Sequence, residues 1–92
     1  MEVLDNATQL FDRGVELSHQ GNYTEAIQVF DRALAQDPKL ADAYGHRCVA
    51  RQRTGDLQGA IDDCQQAGAL YLCQGRDKDY RYAVKMLKML RE

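Results

Sequence analysis

The side chains of this 92-residue chain that could do chemistry are two histidines, His19 and His46, three cysteines, Cys48, Cys64 and Cys73, and an adjacent carboxylate pair, Asp62 and Asp63. Catalysis by histidine needs a group that orients the ring, and a nucleophilic thiol needs a base beside it. Neither histidine has an acid or a thiol three or four residues further on. His46 and Cys48 are two apart, so on a helix they point to different faces. No H-x-x-x-H, C-x-x-C or glycine-rich phosphate loop is present. Asp62 and Asp63 would diverge on a helix, which predicts a solvated acidic face rather than a metal site. These spacings predict no catalytic site, no metal and no cofactor. They predict a chain that binds rather than transforms.

Composition narrows what it binds. Twelve basic against fourteen acidic residues give a net charge of −2. That argues against non-specific nucleic-acid binding, which needs a surface that neutralises phosphates. No run of 18 apolar residues predicts a membrane span, and Met1-Glu2-Val3-Leu4-Asp5 has neither the basic nor the apolar region of a signal peptide. The odd number of cysteines fits a reducing compartment better than a disulfide framework, and predicts single buried or half-buried thiols. A cytoplasmic protein is the expectation.

The elements that must position these residues declare themselves by repetition. Residues 41–74 laid over residues 7–40 give eight identities: Ala7/Ala41, Arg13/Arg47, Val15/Val49, Gly21/Gly55, Ala26/Ala60, Ile27/Ile61, Ala33/Ala67 and Ala35/Ala69. Chance at average residue usage would give roughly two. A fixed period of 34 signals stacked helix pairs that bury a core only between neighbours.

Five helices are predicted. The first, about Asn6 to His19, has Asn6 and Gln9 placed as a cap. The second begins at Asn22, with Glu25 completing a box-like start, and ends at Asp37-Pro38. The third runs from about Lys39 to Arg53, with Pro38 suited to its first turn. The fourth runs from Leu57 to about Cys73 behind Asp56 as N-cap. Gly75 is placed to end it in the left-handed conformation, and a fifth helix follows from about Lys78 to Leu90.

Repeat 1 resembles a tetratricopeptide repeat, with Leu10, Gly14, Leu17, Ala26, Phe30, Ala33 and Pro38 at that family's signature positions. Repeat 2 follows with Tyr44, Cys48, Arg51, Ala60, Cys64 and Ala67. It departs where Cys64 replaces the aromatic and Leu72 the proline, so the fourth helix is expected to run on and the third unit to be out of register. The resemblance implies an all-α solenoid spanning residues 1–92: repeat 1 at about 7–40, repeat 2 at about 41–74, and a capping helix at about 78–90. It also implies a scaffold that holds a peptide or helix of a partner protein in a concave groove, and no enzyme.

In such arrays the first helix of each pair lines the groove. The resemblance thus places Phe11, Val15 and His19 there from repeat 1, with Asp42, His46, Val49 and Arg53 from repeat 2. Phe11, Val15 and Val49 would form an apolar floor, unless Val3 and Leu4 fold back over them. Some family members clamp carboxylate tails with five groove residues. The matching positions here are Phe11, Val15, His46, Lys78 and Tyr82, and only Lys78 keeps the clamp's residue type. The carboxylate clamp is therefore not expected.

The fifth helix carries two readings. Tyr80, Ala83, Val84, Leu87 and Leu90 make the stripe expected to dock on helix four, which would set Lys78, Arg81, Lys85 and Lys88 near the groove wall and favour a partner with an acidic end. The same cations would equally complement the dipole at a helix C-terminus. Tyr82, Met86 and Met89 form a second apolar stripe, expected to meet a second copy or another partner unless helix four covers both stripes. A homodimer is the alternative function.

Overall fold

A computed structural model describes residues 5–92 as five helices in succession: α1 (Ala7–His19), α2 (Tyr23–Gln36), α3 (Ala41–Arg53), α4 (Leu57–Cys73) and α5 (Asp77–Arg91). Each helix packs chiefly on its neighbours in sequence, and α1 also touches α3. The result is an all-α solenoid, a slab 48 × 29 × 18 Å. No described helix is long and apolar enough to cross a membrane.

Helix starts follow local chemistry. The Asn6 side chain accepts from the Gln9 amide at 2.8 Å, and Gln9 returns the bond to the Asn6 N–H at 2.9 Å. Asp56 caps α4 by accepting from Gly59 N at 2.9 Å. Asn22 stands at the start of α2 but caps nothing; its amide turns back to Gln20 instead. Pro38 is not in the first turn of α3. It follows Asp37 in a tight turn closed by Leu40 N donating to Asp37 O at 3.2 Å, the position that its fixed φ suits.

Three turns share one device. Gly21, Gly55 and Gly75 have φ of +82°, +89° and +71°. After each, the next residue's N–H donates five residues back: Asn22 to Leu17, Asp56 to Arg51 and Arg76 to Tyr71, at 2.8–2.9 Å. This six-to-one closure satisfies the last carbonyls of a helix and reverses the chain within three residues. The first two glycines are 34 apart, but the third comes only 20 after the second. So α4 and α5 form a hairpin of the kind that joins α1 to α2, and α5 packs on α4 about as extensively as α2 on α1. Gly68 faces α5 at that approach, where a Cβ would make ordinary contact with the Ala83 Cβ.

The core is thin and built from small residues, with Ala26, Ala33, Ala43, Ala60, Ala67 and Ala83 all buried. Phe30, Leu10 and Cys48 are the largest side chains fully out of solvent. One buried charge stands out, Asp63, at 2% exposure. Arg47 grips it twice, Nε and Nη2 donating at 2.9 and 2.7 Å, and Arg51 Nη1 adds a third bond at 2.9 Å. The expected solvated acidic pair is thus corrected: Asp62 is exposed, whereas Asp63 is an internal anion neutralised by two guanidinium groups.

Candidate partner-binding groove

Side chains of α1, α3 and α5 line an open groove with two recesses. One, of about 200 Å³, lies between α3, α4 and α5, with Val49, Ala67, Ala83 and Met86 as apolar wall and Asp42, Tyr71 and Asp79 as polar edge. The other, of about 280 Å³, is lined by Ser18, His19, Tyr23 and Arg53. His46 and Val49 belong to both. They form the ridge between the two.

The ridge is braced from behind. Phe11 meets the His46 ring edge-on at 5.2 Å, and Phe30 lies 6.1 Å from the same ring. Such tilted contacts stabilise aromatic pairs beyond simple burial. Packed between them and yet at the surface, the His46 imidazole is disfavoured in its charged form. Desolvation lowers its pKa from the ordinary 6.5, the nearby Asp42 carboxylate opposes that, and His19 adds to it. The unfolded chain therefore binds the proton more readily than the native one, so stability is full above 6.5 and falls as pH drops below it. His46→Gln is expected to flatten the dependence of unfolding free energy on pH just below 6.5, as measured by urea titration. An unchanged slope would mean that the ring titrates freely.

The polar edge is a closed network. Tyr71 Oη donates to Asp42 Oδ1 at 2.7 Å, and Arg76 Nη2 donates to the same oxygen at 3.0 Å. Arg76 Nε reaches Asp79 Oδ2 at 3.0 Å, and the guanidinium lies 4.7 Å over the Tyr71 ring. Burial would raise the Asp42 pKa, but the Tyr71 and Arg76 hydrogen bonds outweigh it and hold the carboxyl below its usual value. Burial, and the Asp42 carboxylate that accepts its proton, push the Tyr71 phenol upward. Both groups therefore stay in their neutral-pH forms, a phenol donor and a carboxylate acceptor.

Of the residues expected in the groove, His19, Asp42, His46, Val49 and Arg53 line its recesses. Phe11 and Val15 are half-buried against the Phe30 cluster, so they support the groove rather than floor it. The alternative cover by Val3 and Leu4 lies outside the described residues. Lys78, Arg81 and Lys85 are exposed and line neither recess. At 100° per residue they fall on the side of α5 away from Ala83, Met86 and Leu90, which pack inward. The groove-facing side of α5 is instead Asp79, Tyr82 and Met86.

The second stripe is corrected in part. Met86 is 9% exposed and packs with Cys48, Ala60 and Cys64, while Val84, expected to dock, is 45% exposed. Tyr82 and Met89 do stand out, at 60% and 57%. The buried arc of α5 keeps Tyr80, Ala83, Leu87 and Leu90 and turns by less than half a residue step, taking Met86 in at one edge and leaving Val84 out at the other. Tyr71, Arg76 and Asp79 were not anticipated at the site. One signal for Arg76 was available, since it stands one full period of 34 after Asp42. Among the described residues no cluster of three or more histidine, cysteine or carboxylate side chains is arranged to hold a metal.

Comparison with known proteins agrees with this architecture. The family model described as TPR repeat matches residues 14–55. Tetratricopeptide repeat protein 36 of Mus musculus is 30% identical across 85% of this chain and 52% of its own length. The Danio rerio protein of the same name is 31% identical across 82% of this chain and 40% of its own length. Small glutamine-rich tetratricopeptide repeat-containing protein beta of Homo sapiens is 33% identical across 70% of this chain and 21% of its own length. The chain thus spans about half, or less, of the relatives it matches. With its period of 34, its small-residue helix pairs and these matches, the chain belongs to the tetratricopeptide repeat family, a family of protein–protein interaction modules.

Proposed function

We propose that this chain is a non-catalytic adaptor that holds a segment of a partner protein in the groove of α1, α3 and α5. The observation that carries the reading is the ridge of His46 and Val49 between two recesses of different character. An apolar side chain of the partner seats against Val49, Ala83 and Met86. The groove ends differ in charge, with Asp42 and Asp79 in one recess and His19 and Arg53 in the other. An acidic end of the partner therefore goes to Arg53, not to the outward cations of α5.

Photo-crosslinking from position 49, followed by affinity measurement on the captured partner, tests this. Arg53→Glu and Val49→Asp are each expected to weaken binding about tenfold, while Lys78→Glu/Arg81→Glu leaves it unchanged. The reverse pattern would move the site to the outer face of α5. The exposed pair Tyr82 and Met89 supports the second reading, self-association through α5. Sedimentation separates the two: a dimer abolished by Tyr82→Lys/Met89→Lys, with no partner captured from position 49, would favour it.

A further inference from the structure

We propose that Cys48 and Cys64 are a modification site, the two halves of a reversible disulfide that joins α3 to α4. The argument starts from the repeat. One period earlier, Cys48 and Cys64 correspond to Gly14 and Phe30. There the helices of the first pair come so close that a Cβ on Gly14 would clash with the edge of the Phe30 ring. In the second pair that crossing holds a cysteine from each helix, with the sulfurs 2.6 Å apart and both residues buried, at 0% and 3% exposure. A disulfide requires short Cα separation and Cβ atoms that face each other. Packed helices usually keep their axes too far apart for one, except where a small residue marks their closest approach.

The pair is also reachable. Cys64 lines the recess between α3, α4 and α5, while Cys48 lies behind it. Each thiol has its own part. Either sulfur can donate the hydrogen bond between them, and Cys64 is the one that meets the recess, so an oxidant reaches it first. With a peroxide as oxidant, the Cys64 thiolate attacks one oxygen: an S–O bond forms, the O–O bond breaks and hydroxide leaves. The Cys48 sulfur then attacks the Cys64 sulfenic acid: the S–S bond forms, the S–O bond breaks and water leaves with the Cys48 proton. Two thiols are oxidised, and one peroxide is reduced to two waters. A dithiol reverses the reaction by exchange.

Mass spectrometry of the folded protein after hydrogen peroxide treatment tests the proposal. Expected are a monomer lighter by two hydrogen atoms, a non-reduced peptide joining Cys48 to Cys64, and full reversal by dithiothreitol. The exposed Cys73 serves as the internal comparison. Closing a loop between residues 16 apart should raise the melting temperature by about 10 °C. Cys48→Gly/Cys64→Phe, which installs the residue pair of the first repeat, should fold, form no internal link and show no peroxide-dependent gain. Oxidation confined to Cys73, Cys64 carried to sulfinic acid while Cys48 stays reduced, or a link that forms only in denaturant would each overturn it.

Discussion

Asp63→Ala is expected to lower the stability of this protein by about 3–5 kcal/mol in urea unfolding. The carboxylate is almost wholly buried and receives three charge-assisted hydrogen bonds, two from Arg47 and one from Arg51. Removing it leaves the Arg47 guanidinium, itself only 15% exposed, with the half-exposed Asp31 as its remaining carboxylate. The cost is mainly that under-compensated buried charge rather than the lost attraction. For a chain of 92 residues the whole folding free energy is about 5–14 kcal/mol, so the loss is a large fraction of it. Asp63→Asn, which keeps the shape and two hydrogen-bond sites, should cost less. Arg51→Ala should cost about 1 kcal/mol, because Arg47 still neutralises the acid. A loss below about 1 kcal/mol for Asp63→Ala would show that water relaxes into the site and solvates the arginines.

Phe30→Ala is expected to cost a similar amount, about 3–5 kcal/mol, for a different reason. Its ring is fully buried and occupies the volume that a side chain on Gly14 would need. Truncation leaves a cavity against Leu34 and Ala43 and withdraws support from Phe11 and His46. Gly14→Ala approaches the same contact from the other helix and should cost about 1–3 kcal/mol by overpacking. The two residues share one space, so their effects are coupled. Gly14→Ala/Phe30→Leu should lose less than its single variants together, by about 1 kcal/mol in a double-mutant cycle. Strict additivity would mean that the helices shift apart rather than sharing the volume. The second repeat shows such an exchange already made, with Cys48 larger than glycine and Cys64 smaller than phenylalanine.

The fold was legible because repetition and helical period are properties of the chain alone. Ala26, Ala33, Ala60 and Ala67 recur at fixed offsets, and Gly75 could be placed as a left-handed terminus without any partner. What stayed hidden depended on contacts between distant residues. Asp63 reads as a surface acid until Arg47 is set beside it, and the identity of Arg13 with Arg47 gives no warning. Arg13 pairs with Asp5 near the surface, and the residue one period before Asp63 is the apolar Val29. The groove was half legible. His46, Val49 and Arg53 follow from the period, which holds through α3. The period fails at α5, where Gly75 arrives early, so Lys78 and Arg81 were assigned to a face that Asp79 and Tyr82 occupy. Val84 and Met86 flank the same buried arc, and pattern alone does not say which of them turns inward.

Arg47 also reaches beyond its own helix pair, donating to Asp31 of α2 at 2.6 Å while it holds Asp63 of α4. Solenoid energetics divide into what each repeat is worth alone and what neighbours gain by touching, and short arrays survive only if the second quantity is large. One guanidinium bonded to both repeats contributes directly to that coupling. A chain with half of its array melted would have to give up either the α2 contact or the internal anion, so partly unfolded forms are penalised relative to both end states. Two repeats and a hairpin helix can in this way melt as a single cooperative unit, where a longer array could fray from its ends.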